Sequence, residues 1–108
     1  MQVKERFLKY ISMDTTSDPS SETFPSTKSQ LAFAAELEKE MKELGLTEVS
    51  LDAYGYVFGT IPSTIPNYQG KILGFISHMD TSCAASGTNI APRILEHYDG
   101  KDIVLNEE

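Results

Sequence analysis

Cysteine is nearly missing from this chain. Cys83 is the single thiol among 108 residues, so no intrachain disulfide can form, which suits a reducing compartment. The start Met1-Gln2-Val3-Lys4-Glu5-Arg6 mixes charges and lacks the basic-then-apolar pattern of an export signal; the expected location is the cytoplasm. No apolar stretch reaches the roughly 18 residues that a transmembrane helix needs, which argues against a membrane-embedded protein. Clustered Lys and Arg are lacking as well. With 16 acidic against 9 basic residues and a net charge of −7, nucleic acid is not an expected partner. There is no Gly-x-Ser-x-Gly elbow, no Gly-x-x-x-x-Gly-Lys phosphate loop and no dinucleotide fingerprint, so three common routes to catalysis are without their signatures. Histidine occurs only at His78 and His97.

What is present is the composition of a soluble globular protein, 40% hydrophobic and 23% charged. A chain of this length makes one small domain and can bury roughly 60 to 70% of the surface its unfolded form exposes. Val3, Phe7, Leu8 and Ile11 recur at helical spacing, which predicts a short amphipathic helix over 3–12. Residues 14–30, rich in Ser, Thr, Asp and Pro, read as a mobile loop whose side chains favour local turns. A second helix is predicted over 27–44. Leu31, Ala34, Leu37, Met41 and Leu44 form its apolar stripe, and Glu36, Glu38, Glu40 and Glu43 with Lys39 and Lys42 form a solvated opposite face. Thr27 with Gln30 reads as a capping box, and Gly45 as the left-handed stop.

Val49 and Leu51 alternate with polar neighbours, Asp52-Ala53-Tyr54-Gly55 supplies a turn, and Tyr56 to Ile61 alternates again, together predicting a β-hairpin. Pro62 and Pro66 end that unit. Lys71 to Ser77 is an almost unbroken apolar run and predicts a strand buried on both faces. Residues 82–92 read as a loop, and Ile103, Val104 and Leu105 as a last short strand. The order of elements points to an α/β class, a mixed β-sheet flanked by helices.

The apolar run ends in His78-Met79-Asp80-Thr81-Ser82, at the strand end where α/β sheets place their ligands. Neutral imidazole is a common zinc ligand, and a strand puts alternate side chains on one face, so His78 and Asp80 can serve one site. Asp80 can hold the ring nitrogen of a ligating His78, or ligate itself. The remaining donors are few. His97 beside Tyr98-Asp99-Gly100 reads as a surface histidine in a turn, and Cys83 as a small packing residue. Structural zinc needs about four protein ligands and catalytic zinc about three, and the chain's single thiol and its other imidazole do not make up that number.

As a set, these residues resemble the amino-terminal part of the M20 family of zinc peptidases, in its tripeptide aminopeptidase branch. The likeness is carried by Arg6-Phe7-Leu8-Lys9-Tyr10-Ile11-Ser12 leading into Asp14-Thr15, by Pro25-Ser26-Thr27 before Gln30, and by Gly74-Phe75-Ile76-Ser77-His78-Met79-Asp80-Thr81-Ser82. It extends over essentially all 108 residues. The resemblance implies that residues 1–108 are an amino-terminal piece of an M20-type catalytic domain. It implies a two-zinc centre in the complete enzyme, with His78 ligating one ion and Asp80, counted with the catalytic residues, orienting the His78 ring. The implied substrate is a tripeptide, cleaved by a metal-activated water with a glutamate moving protons. The family's other acidic ligands, that glutamate, its second histidine and its inserted smaller domain lie beyond Glu108. The isolated chain is therefore expected to be inactive, to retain little zinc, and to self-associate through apolar surface left uncovered. Two other readings stand beside it: an M20-type hydrolase acting on dipeptides or acyl-amino acids, and a short non-catalytic binding module.

Overall fold

A computed structural model describes residues 2–105. Its elements are α1 (Val3–Ile11), α2 (Lys28–Glu43), β1 (Thr47–Leu51) and β2 (Val57–Thr60). The α/β class stands in this small form, with two helices and one two-stranded antiparallel sheet. Among the described residues, the expected mixed sheet is present only as that hairpin and one isolated parallel bridge, Thr16 with Thr81.

Helix α1 begins where the Gln2 backbone N–H donates to the Glu5 carboxylate at 2.8 Å. Helix α2 ends as its sequence predicts. Gly45 takes φ +82°, its N–H donates to the Lys42 carbonyl, and the Leu46 N–H reaches back to the Met41 carbonyl at 3.1 Å. That is a Schellman closure, and a residue with a Cβ would be strained in it. The other end of α2 differs from expectation. Thr27 occupies the N-cap, but its hydroxyl makes no cap bond; it donates to the Thr16 carbonyl at 3.1 Å, and the Gln30 amide donates to Ser26 Oγ at 3.1 Å. The capping box of Thr27 and Gln30 does not form, because both side chains are committed to the loop before the helix.

The solvated face assigned to α2 also needs correction at Glu40. Its carboxylate is buried, receiving Lys9 Nζ at 3.0 Å and the Tyr10 hydroxyl, with Arg6 Nε 3.3 Å away. Lys9 Nζ also donates to Glu36 at 2.6 Å. Helix α2 thus has two working faces. Leu31 and Met41 of the apolar stripe lie against the hairpin, at Gly55 and Gly59. An adjacent face, carrying Phe33, Glu36 and Glu40, meets α1, where the Phe33 and Tyr10 rings pack edge to face at 5.2 Å. Burial pushes the Tyr10 hydroxyl up to about 12, helped by its bond to Glu40. Burial also works to raise Glu40, but the Tyr10 hydroxyl, Lys9 and Arg6 outweigh it and hold that carboxyl below its ordinary value. Hydrogen bonds to Glu36 and Glu40 raise Lys9.

In the hairpin, Ser50 faces Phe58 and Leu51 faces Val57, with a bulge between Thr47 and Ser50 where Glu48 takes φ +52°. The turn is organised by Asp52, whose Oδ1 accepts the N–H groups of Tyr54 and Tyr56, both at 2.9 Å.

Beyond Thr60 the chain departs from the sequence-based reading. Residues 71–77 form no strand, and Ile72, Phe75 and Ile76 are 97%, 90% and 102% exposed. Ile103 to Leu105 likewise form no strand. A run that is apolar on both faces becomes a strand only with neighbours to take its backbone hydrogen bonds and layers to cover both faces. Among the described residues no segment lies alongside it. The molecule is correspondingly open, with a radius of gyration of 17.6 Å where a compact domain of this length has about 13 Å. The core is small, with Phe33 and Ala34 its buried apolar residues.

Candidate metal site

The His78–Asp80 pair sits at the end of that uncovered run. The two side chains meet, with His78 Nδ1 2.9 Å from Asp80 Oδ1. A carboxylate only accepts, so the imidazole proton belongs on Nδ1 and the Nε2 lone pair is left for another partner. Both groups are open to solvent, His78 at 84% and Asp80 at 44% exposed. Met79 and Thr81 take the alternate positions. They line an apolar cavity of about 370 Å³ with Tyr10, Met13, Phe33 and Ile90, which His78 and Asp80 do not line.

What holds the pair in place is a segment that sequence reasoning treated only as loop. The Thr81 N–H donates to the Thr15 carbonyl at 3.2 Å, and the Ser17 N–H donates to the Thr81 carbonyl at 3.0 Å. The Ser17 hydroxyl donates to that same carbonyl at 3.1 Å. Residues 14–17 are in turn fixed from behind. Asp14 Oδ1 accepts both the N–H and the hydroxyl of Thr16, at 2.9 and 2.6 Å, and these two bonds hold the Asp14 carboxyl below its ordinary value. Thr15 is buried, and the Thr16 carbonyl accepts the Thr27 hydroxyl. Gly87 packs so closely that a Cβ there would stand 2.4 Å from Thr16 Oγ1 and 2.5 Å from Asp14 Oδ1. The mobile loop of the sequence reading is therefore a tied strap across this stretch. Its one legible signal was Asp14-Thr15-Thr16, a spacing that favours an Asx-type turn.

The donor set fits one corner of a zinc site. A neutral imidazole with a free Nε2 and a carboxylate on Nδ1 is the arrangement that orients a zinc-ligating histidine. The described residues supply no more than that corner. No group of three or more His, Cys, Asp and Glu side chains among them is placed to hold a metal ion. His97, at φ +55°, is exposed, as expected of a surface histidine. Cys83 was expected to be a small packing residue and is instead a free, exposed thiol, because it lies in the open segment beyond Thr60 where nothing packs over it.

Comparison with known proteins falls on the whole chain. No protein-family model matches it. It is 55% identical over 106 residues to a protein named peptidase T from Halothermothrix orenii, and 56% identical over 106 residues to a peptidase T from Clostridium botulinum. Over 109 aligned residues it is 55% identical to a peptidase T from Caldanaerobacter subterraneus subsp. tengcongensis. These alignments cover 98 to 99% of this chain and 26% of each relative. The chain is homologous to peptidase T, and it spans about a quarter of the length of the curated relatives it matches.

Proposed function

We propose that this chain supplies the first metal-ligand corner of an M20-type, zinc-dependent aminopeptidase that releases the amino-terminal residue from tripeptides in the cytoplasm. The reading is supported by the coincidence of two things: 55% identity to peptidase T along 98% of the chain, and a His78 ring whose Nδ1 lies 2.9 Å from the Asp80 carboxylate. In the complete enzyme, which the reading gives two zinc ions, His78 Nε2 would ligate one of them. Bound zinc supplies Lewis acidity, polarising a peptide carbonyl and lowering the pKa of a water. The work of this chain's own residues is narrower. Asp80 keeps the proton on Nδ1 and fixes the ring plane, and the open approach to Nε2 leaves room for substrate and further ligands. Residues 1–108 form part of one catalytic domain, and alone they are expected to be inactive.

The test is hydrolysis by the protein expressed from its complete reading frame. Tripeptides should be cleaved at the amino-terminal bond, with dipeptides and acyl-amino acids cleaved far more slowly. His78→Ala should lose zinc and activity together. Preferential cleavage of dipeptides or acyl-amino acids would reassign the substrate, and full tripeptide cleavage by His78→Ala would overturn the site.

A further inference from the structure

The hydrogen bonds that join residues 2–60 to residues 61–105, among the described residues, all fall on Thr81: its N–H on Thr15, and its carbonyl under both the N–H and the hydroxyl of Ser17. Residues 71–77 have no strand partner. The position of Asp80, one residue before Thr81, is thus set from the strap side. Strap rigidity has a visible cost elsewhere, since the Thr27 hydroxyl leaves the N-terminus of α2 uncapped in order to hold the Thr16 carbonyl.

We propose that Ser17 is a positioning residue for the His78–Asp80 pair, acting through the Thr81 carbonyl. The inference rests on the reading of His78 as a zinc ligand and deepens it. Two donors from one residue on one carbonyl restrict rotation of the Thr81 peptide more than the backbone bond alone would. With Thr81 held at both its N–H and its C=O, the Asp80 side chain starts from a fixed backbone and meets Nδ1 at 2.9 Å. Without the Ser17 hydroxyl, the backbone bond remains and the peptide can rock. The carboxylate then spends less time on the ring, and the Nε2 lone pair is less well aimed. A hydroxyl-to-carbonyl bond of ordinary strength corresponds to about a three- to tenfold effect, smaller than the roughly 10- to 100-fold expected for the orienting carboxylate itself.

The experiment is chelator competition for zinc, with thermal unfolding measured in parallel, on the protein from its complete reading frame and on Ser17→Ala, Ser17→Thr, Asp80→Asn, His78→Ala and the Ser17→Ala/Asp80→Asn double variant. Ser17→Ala should weaken zinc about three- to tenfold. Ser17→Thr should restore it to within about twofold, and the double variant should be no weaker than Asp80→Asn alone, because Ser17 acts through Asp80. If Ser17→Ala weakens zinc equally on the Asp80→Asn background, or not at all while His78→Ala loses zinc, the positioning role is wrong and the ligand assignment stands. Zinc retention by His78→Ala would overturn the ligand assignment and this inference with it. Should Ser17→Ala fail to fold, Ser17→Cys takes its place under the same criteria.

Discussion

Removing the Glu40 side chain is the perturbation that most directly tests how the two helices are joined. Glu40→Ala takes the shared acceptor from Lys9, Tyr10 and Arg6 at once. Lys9 keeps Glu36 at 2.6 Å and loses little. The Tyr10 hydroxyl and the Arg6 guanidinium lose their charged partner. Arg6 Nε is already buried without a well-formed hydrogen bond, so no other group stands ready to satisfy it. Bonds to a charged acceptor are worth about 1.5–3 kcal/mol each, discounted here because Arg6 and Lys9 keep 24% and 31% of their side-chain exposure. The expected loss is about 2–3 kcal/mol, and about half that for Glu40→Gln, which keeps the shape and one acceptor oxygen. Urea unfolding followed by helical circular dichroism measures it. The pH dependence gives a second reading. The Glu40 and Glu36 carboxyls are held below their ordinary value of 4.5 in the fold. Their contribution is therefore present above about pH 4.5 and lost as pH falls through the folded values, and Glu40→Ala should flatten that acid limb. A Glu40→Ala midpoint within about 0.5 kcal/mol of the parent, with the acid limb unchanged, would refute the ion network as the link between α1 and α2.

Other expectations follow from the same geometry. Gly87→Ala should loosen the strap, because its Cβ would meet Thr16 Oγ1 and Asp14 Oδ1 at under 3 Å; faster hydrogen exchange at the Thr81 amide is the readout, and unchanged exchange would count against the clamp. Gly45→Ala should cost about 1 kcal/mol through its left-handed φ, measured by urea unfolding. The 108-residue chain should self-associate through the exposed Ile72-to-Ile76 run, and Phe75→Glu with Ile76→Lys should shift it toward monomer in light scattering; an equally monomeric parent would contradict this. At alkaline pH the raised Tyr10 value places the loss of its contribution between about pH 10 and 12, which spectrophotometric titration of Tyr10 checks, a midpoint near 10 being the contrary result.

Local patterns were legible where local energetics decide. Both helices, the Gly45 closure and the Asp52 turn follow from periodicity and turn chemistry within a few residues. Glu40 was misread because a charge count along α2 ignores which face it shares. It stands seven residues from Phe33, on the face that meets α1, and the stripe drawn through Leu31 and Met41 passed over both. The strap was only partly legible. Asp14-Thr15-Thr16 announces a turn, but the pairing of residues 15–17 with Thr81 spans more than sixty residues and leaves no periodic trace. The run from Lys71 to Ser77 shows the converse. Its composition demands burial on both faces, and composition alone cannot supply the neighbours that make a strand. Of the candidate site, the contact between His78 and Asp80 was legible, since two side chains one residue apart need little of the chain to bring them together.

The proposed site stands or falls on which atom meets zinc. A crystal structure of the zinc-loaded protein from the complete reading frame, with anomalous data at the zinc edge, settles it. The predicted result is an anomalous peak about 2.0–2.1 Å from His78 Nε2, with Nδ1 still on Asp80. A peak on His97 or Cys83, or a His78 ring turned so that Nδ1 meets the metal, would contradict it.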